Sequence, residues 1–150
     1  MRCKTVRSGW AVAWMLFAVS ADLWAGSAMT VRDGSGTSLA RVDGDGTVRD
    51  RSGSTLGRIE ANGTVRDRSG STLGRVEGDG TVCNRGGSTV GRVDEGGTLR
   101  DRGGSTIGRL DGCTVRNASG STRGRFDGCS RADHHAMAAY LFFFLPLHHR

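Results

Sequence analysis

The charged side chains with the most regular spacing are arginines that occur once in each of six similar segments. An acidic residue follows each of them at the second position, so both charges share one face of an extended strand. The arginines are Arg41, Arg58, Arg75, Arg92, Arg109 and Arg125, and the acids are Asp43, Glu60, Glu77, Asp94, Asp111 and Asp127. Two interpretations remain open: a self-neutralising belt of pairs worth under ~1 kcal/mol each, or a guanidinium ring that binds anionic lipid headgroups or acidic glycans.

Arg123 departs from this pattern, because the other five segments carry Leu, Val or Ile at its position. It is therefore a further candidate for anion binding, although it could equally snorkel beside a chain terminus.

The cysteines predict one disulfide. Cys113 and Cys129 follow equivalent Asp-Gly turns in neighbouring segments, and an oxidising compartment would permit a bridge between them. Cys83 stands in place of a strand arginine. We expect it to remain unpaired, because Cys3 lies in a segment that we expect to be removed.

The residue pattern predicts no enzyme, no cofactor and no metal site. An enzyme needs a nucleophile, a base and a group that orients the base, but here the serines lie in turns and the acids recur identically in every segment. The four histidines all lie in the C-terminal tail without companion cysteine or aspartate ligands: His134, His135, His148 and His149. Nucleic acid is excluded as a partner, because the Arg-Gly-Gly strings at 85 and 102 lack interleaved aromatic residues.

The elements that carry these residues are tandem repeats. With 25 Gly and 1 Pro, the composition excludes collagen and polyproline, and a hydrophobic content of 36% is too low for a polytopic membrane protein. The repeats begin at Thr30, Thr47, Thr64, Thr81, Thr98 and Thr114, with a period of about 17 residues. In the second repeat, residues 47–49 and 55–60 are rich in β-branched residues and have the length of strands, and a glycine-containing turn follows each of them. The unit is a short β-hairpin.

Three positions in each repeat are apolar and predict the core. They are column one (Val31, Val48, Val65, Val82, Leu99, Val115), column two (Leu39, Leu56, Leu73, Val90, Ile107, with Arg123 as the exception) and column three (Val42, Ile59, Val76, Val93, Leu110, Phe126). One hairpin cannot bury three side chains alone, so the copies must pack together. We favour a closed ring over an open ladder, because the first and last copies keep the pattern and carry no capping features.

The repeated strings Gly-Thr-Val-Arg-Asp and Ser-Thr-Leu-Gly-Arg-Val-Asp/Glu, over residues 30–129, resemble those of the β-flower proteins. The resemblance implies a shallow symmetric barrel of hairpin petals around an apolar interior, followed by an apolar C-terminal segment. It implies no activity and no catalytic residue. The expected fold is therefore all-β, with six tandem hairpins in residues 29–130 closing into a flower-like barrel.

The N-terminal residues 1–28 predict a signal peptide. Arg2, Lys4 and Arg7 precede the apolar residues 10–19, and Gly26-Ser-Ala28 fits a cleavage site after Ala28. Cleavage after Ala25 is the alternative, and an uncleaved membrane anchor is a second one, although the run is shorter than the ~20 residues that span a bilayer. We expect the protein to be exported.

The tail, residues 131–150, contains an apolar run at 136–147 that is also too short to span a bilayer as a helix. It could plug the barrel, lie in a membrane interface, or dock on a partner. We favour the plug, because a barrel lined with small aliphatic side chains has room for aromatic rings. The residues that would form the plug or anchor are Tyr140, Leu141, Phe142, Phe143 and Phe144.

Together these features predict a non-catalytic, monomeric, envelope-associated module that binds a lipid, a membrane surface or another apolar ligand. The alternative is a structural or adhesive surface protein that binds glycans or proteins.

Overall fold

The computed structural model describes Cys3 and residues 28–145. The rest of the predicted signal peptide and residues 146–150, including His148 and His149, lie outside the described residues. Within the described part, every repeat forms one antiparallel hairpin and the tail forms a short helical segment.

The hairpins are formed by twelve strands in sequence order. Their bounds are β1 Met29–Asp33, β2 Ser38–Val42, β3 Thr47–Asp50, β4 Thr55–Ile59, β5 Thr64–Asp67, β6 Thr72–Val76, β7 Thr81–Asn84, β8 Thr89–Val93, β9 Thr98–Asp101, β10 Thr106–Asp111, β11 Thr114–Asn117 and β12 Thr122–Asp127. The tail begins with a 3-10 turn at Arg131–Asp133, continues as α1 at His134–Ala139, and ends in a π-helical turn at Tyr140–Phe144.

The twelve strands close into a barrel in which neighbours in sequence are neighbours in space. The closing pair is β1 with β12, where Val31 lies opposite Phe126 in an antiparallel register. Closure leaves no unpaired sheet edge, which is the physical advantage that favoured a ring. The prediction of an all-β, closed, six-hairpin fold is confirmed.

Because all pairs are antiparallel and consecutive, the turns fall at two opposite ends of the barrel. The turns inside the hairpins form the tip end, at residues 34–37, 51–54, 68–71, 85–88, 102–105 and 118–121. The turns between hairpins form the base end, at residues 43–46, 60–63, 77–80, 94–97, 112–113 and 128. Glycine is required at both ends: Gly53 at the tip has a φ of 88° and Gly63 at the base has a φ of 86°.

Columns one and three form the core, as predicted. Val48 and Ile59 from the second repeat have exposed fractions of 0% and 1%. The prediction that column two is equally buried is wrong, because its residues are only half-buried and Leu56 is 36% exposed. The reason is a shift of register in the hairpins: Val48 pairs with Gly57 and Arg49 with Thr55, so Leu56 is skipped.

The residue that follows column two takes its place inside. This interior small-residue column is buried in every repeat and consists of Ala40, Gly57, Gly74, Gly91, Gly108 and Gly124. A glycine within a strand marks a site where another group approaches closely. At all five glycines a carbonyl oxygen of the neighbouring strand approaches closely, and at Gly57, Gly74 and Gly91 a ring of the tail does so as well. Residues 136–141 of the tail belong to the same buried cluster as the strands. No helix in the described part of the chain is long and apolar enough to cross a bilayer.

Candidate functional site

The tail enters the barrel from the base end, where β12 finishes. A disulfide joins Cys113 and Cys129, with their Cα atoms 5.9 Å apart, and so links the last two repeats just before the tail begins. Asp133 then accepts hydrogen bonds from the backbone N–H of Ser130 at 2.6 Å and from its hydroxyl at 2.8 Å. These contacts fix the direction in which the helix starts.

The helix then passes into the core. Residues 136–139 are fully buried, and Tyr140 and Leu141 have exposed fractions of 3% and 1%. The Tyr140 ring meets Phe126 edge-on, with 5.8 Å between centroids, and stacks on Phe144 at 6.1 Å. Burial raises the pKa of the Tyr140 hydroxyl. The structure therefore places the first two predicted plug residues inside the barrel.

Three consecutive phenylalanines lie against three glycines of the interior column. A Cβ added at Gly57 would lie 2.8 Å from Cζ of Phe144, one at Gly74 would lie 2.5 Å from Cζ of Phe143, and one at Gly91 would lie 2.6 Å from Cζ of Phe142. The rings thus occupy space that any larger strand residue would fill. The space for the aromatic rings was expected to come from small aliphatic side chains, whereas these glycines provide it. The recurring Gly in the middle of a strand was the available signal.

The tip end of the barrel carries an apolar surface, here called the mouth. It consists of Leu56, Leu73, Val90 and Ile107 of column two around Phe142, Phe143, Phe144 and Leu145 of the tail. Leu56 and Leu145 are each 36% exposed, and the other members are half-buried. Water-accessible apolar groups from both the barrel and its plug therefore meet at this end.

Exposed arginines surround the mouth at the hairpin tips. Four consecutive repeats contribute them: Arg51, Arg68, Arg85 and Arg102. The acids beside them are occupied by local hydrogen bonds, as at Asp50, which accepts from the backbone N–H groups of Ser52 and Ser54 and from the Ser52 hydroxyl. The Ser52 hydroxyl and these amides lower the pKa of Asp50, which therefore stays ionised while it closes its turn.

The base end is acidic by contrast. Its turns and the strand ends beside them carry Asp43, Asp45, Glu60, Glu77, Asp79, Asp94, Glu95, Asp111 and Asp127. Six of these acids each follow an arginine of the wall by two residues, which leaves Asp45, Asp79 and Glu95 as the excess at this end. At the tip end, the four exposed arginines are equalled in number by the aspartates that end β1, β3, β5 and β9.

The predicted arginine column lies on the outer wall of the barrel. Four of its members pair with the acid two residues later, at Nε–O distances of 2.8 Å for Arg41 and Asp43, 3.7 Å for Arg75 and Glu77, 3.1 Å for Arg92 and Asp94, and 2.8 Å for Arg125 and Asp127. Arg58, Arg109 and Arg123 also lie exposed on the surface. The structure does not bring Arg123 into a pocket with the other arginines.

A second arginine column, which sequence analysis missed, completes the belt. Its members are Arg32, Arg49, Arg66, Arg100 and Arg116, on the first strand of their hairpins. Each reaches the acid of the adjacent repeat, so that Asp43 lies between Arg41 and Arg49, with both Nε–O distances at 2.8 Å. The repeated Thr-Val-Arg string was the available signal, but the pairing depends on which strands become neighbours.

The fourth repeat interrupts this second column, because Cys83 replaces its arginine. The prediction that Cys83 remains unpaired is wrong: it forms a disulfide with Cys3, at a Cα–Cα distance of 6.4 Å. Glu77 lies close to both sulfurs, but sulfurs that are joined in a disulfide are not available as metal ligands.

Comparison with known families decides the classification. Residues 28–145 match the family described as the 5-fold beta-flower protein. The chain belongs to the β-flower family. Searches among curated proteins and among solved structures found no match.

This β-flower has six hairpins rather than the five in the family's description. The family is not a known enzyme family. The features of this chain that could bind a partner lie on its surfaces: the mouth with its tip arginines, the paired belt, and the disulfide at the fourth repeat.

Proposed function

We propose that this β-flower is a non-catalytic, exported, envelope-associated module that binds the surface of an anionic lipid membrane through its mouth. The observation that carries the proposal is that one end of the barrel has both exposed apolar side chains and exposed arginines, the latter at four of its six hairpin tips. Amphipathic surfaces of this kind bind membranes by burying apolar area and by attracting anionic headgroups.

The interior of the barrel is less suitable for a lipid ligand. Tyr140 and Leu141 are buried there, and the phenylalanine rings occupy the space left by the glycines. An apolar ligand would first have to displace the tail, which costs the free energy of that packing. Contact at the mouth needs no such rearrangement.

The charge distribution supports one orientation of the barrel. Arg51, Arg68 and Arg102 stand exposed at the tips, while the base end carries the acids described above. An anionic surface is therefore repelled by the excess acids of the base end, whereas the tip end, with equal numbers of arginines and aspartates, can present its exposed guanidinium groups to that surface. Each basic residue held near such a surface contributes about 1 kcal/mol.

The outer belt is a weaker candidate for a binding surface, because its carboxylates already neutralise many of its guanidinium groups. Arg49, for example, donates from Nε to Asp43 at 2.8 Å and from Nη1 to the carbonyl of Gly53 at 3.2 Å. An arginine whose N–H groups already donate to two partners has fewer donors left to bind a glycan. This observation favours the lipid proposal over the adhesive alternative.

Vesicle flotation tests the proposal. The exported chain should float with vesicles that contain phosphatidylglycerol, stay in solution with pure phosphatidylcholine, and be released by salt. Replacing Arg51, Arg68 and Arg102 together by Gln should weaken binding roughly 100-fold, from three losses of about 1 kcal/mol each.

The matched control removes the same charge from the belt, by replacing Arg41, Arg92 and Arg109 with Gln. It should retain most of the binding. Equal losses in the two triple variants, or equal flotation with both lipids, would contradict the proposal. Retention on an acidic glycan matrix together with no flotation would instead support the adhesive alternative.

A further inference from the structure

In the fourth repeat, Cys83 replaces an arginine that makes the same hydrogen bond in each of the other five repeats. In the other five repeats, Nη1 of the second-column arginine donates to the carbonyl of a glycine in its own hairpin turn. The accepting glycines are Gly36, Gly53, Gly70, Gly104 and Gly120. The fourth repeat keeps the corresponding glycine, Gly87, but has Cys83 at the arginine position.

Cys3 takes the place of the missing guanidinium group. Its backbone N–H donates to the carbonyl of Gly87 at 3.3 Å, and its Sγ lies 3.8 Å from Oγ1 of Thr89. In the second repeat, Nη1 of Arg49 makes the equivalent contacts, at 3.2 Å to the turn carbonyl and 3.3 Å to the threonine hydroxyl. The disulfide and a residue distant in sequence together reproduce the contacts of one side chain.

The substitution costs the belt an ion pair. Glu77 has Arg75 at 3.7 Å, but the second arginine that flanks Asp43 and Asp94 in their repeats is absent. Nε of Arg75 is buried and has no hydrogen-bond partner among the described residues. A cleft of 790 Å³ lies beside the bridge, lined by Cys3, Glu77 and Arg92 among others. The fourth repeat thus gives up local stabilisation where it accepts Cys3.

We propose that the fourth repeat is a covalent docking site for the N-terminal segment of the chain, closed by the Cys3–Cys83 disulfide. The bridge requires Cys3 and Cys83 to share one oxidising compartment, so the proposal makes residues 1–28 a retained part of the chain, in place of the expectation that they are removed as a signal peptide. This inference does not depend on membrane binding at the mouth.

The bridge forms by thiol–disulfide exchange with an oxidising disulfide, such as that of a disulfide oxidase. The Cys83 thiolate attacks one sulfur of the oxidant and releases a thiolate, which leaves a mixed disulfide. The Cys3 thiolate then attacks the Cys83 sulfur and releases the second thiolate of the oxidant. The oxidant gains two electrons and two protons, and the protein loses them.

The test is an intact-mass measurement and a peptide map of the chain purified from an oxidising compartment, with iodoacetamide present from lysis onward. We expect the peptide of Cys83 to be joined to that of Cys3 and to become alkylated only after reduction. The intact mass should correspond to a chain that still contains residues 1–28 and carries two disulfides.

Two variants provide controls. In Cys3→Ser, Cys83 should become alkylated without reduction. Cys83→Arg restores the residue of the other repeats, so it should fold, keep the Cys113–Cys129 bridge and leave Cys3 open to alkylation without reduction. Alkylation of Cys83 in the unreduced natural chain, or its linkage to any other cysteine, would overturn the proposal.

Discussion

The interior and the outer wall of this β-flower are both built from columns with one residue per repeat, but the wall keeps the repeat symmetry much better than the interior, with its main exception at Cys83 in the fourth repeat. On the wall, Arg49 and Arg100 make the same contacts in their own repeats, with the same Nε–O distance of 2.8 Å. In the interior, one asymmetric helical segment fills a ring of six similar hairpins, and its phenylalanines meet three of the glycines.

This difference between wall and interior indicates that the packing of the interior, rather than the ion pairs of the wall, makes the barrel unfold cooperatively. Wall contacts are local, exposed to water and repeated, so each adds little and the loss of one leaves the rest unchanged. Interior contacts join the tail to strands from several repeats, so one altered side chain affects the whole barrel. Substitutions should therefore rank from large effects inside to small effects outside.

The largest effect should come from adding a methyl group to the interior column. In Gly74→Ala, the new Cβ would meet the backbone carbonyl oxygen of Cys83 and the Phe143 ring, and the backbone cannot move aside. We expect a loss of about 3 kcal/mol or more in the free energy of unfolding, measured by denaturant titration. Gly78→Ala is the control, because its Cβ would have nothing within 4 Å, and it should leave stability unchanged.

Truncating the plug should have the next largest effect. Leu141 is 1% exposed, so Leu141→Ala should cost about 3 kcal/mol in the same titration by opening a cavity in the core. Leu145→Ala, at a position that is 36% exposed, should change stability by less than ~0.5 kcal/mol. Equal effects would mean that the tail does not fill the barrel.

The hairpin tips should control stability in acid. Serine hydroxyls and backbone amides lower the pKa of Asp33, Asp50 and Asp67 in the folded state. Their contribution is present above the pKa that they have in the unfolded chain, and it is lost as the pH falls through the lower folded-state pKa. Unfolding free energies measured against pH should therefore decline as the pH falls through that window.

A triple replacement of these aspartates by asparagine is the matched variant. Asn84 and Asn117 occupy the same turn position naturally and accept the same backbone hydrogen bonds. The variant should fold at neutral pH and show a flatter acid slope. An unchanged slope would show that other groups control the acid transition.

The smallest effect should come from the belt. Nε of Arg66 lies 2.6 Å from Glu60, but the arginine side chain is 39% exposed, so water and salt screen the pair. Arg66→Met should cost less than ~1 kcal/mol, and added salt should narrow the difference between the two proteins. A loss comparable to that of Leu141→Ala would show that the wall is as cooperative as the interior.

The fold could be predicted from the sequence because the same turn and strand positions recur in all six repeats, so each copy supports the structure inferred from the others. Turn glycines, strand lengths and columns one and three could all be read from one repeat. Column two could not, because the register shift that skips Leu56 depends on the neighbouring strand. The same shift places Gly57 inside, where sequence analysis saw glycine mainly as a turn residue.

The candidate site was less accessible from sequence. The arginines of the first column were identifiable, but their cross-strand partners depend on which strands become neighbours. The pairing of Cys3 with Cys83 joins residues 80 positions apart, and no repeat pattern connects them. The mouth exists only once the tail has passed through the barrel.

The most direct test of binding at the mouth uses tryptophan as a reporter. All three tryptophans of the chain, Trp10, Trp14 and Trp24, lie within residues 1–28, so replacing them by Phe gives a chain that has no tryptophan and keeps Cys3. Leu56→Trp places a reporter in the mouth, and Ala61→Trp places one at the exposed base end. With phosphatidylglycerol vesicles, we predict a blue shift and quenching by brominated lipid for Leu56→Trp and no change for Ala61→Trp. A response at position 61, or none at position 56, would contradict the account.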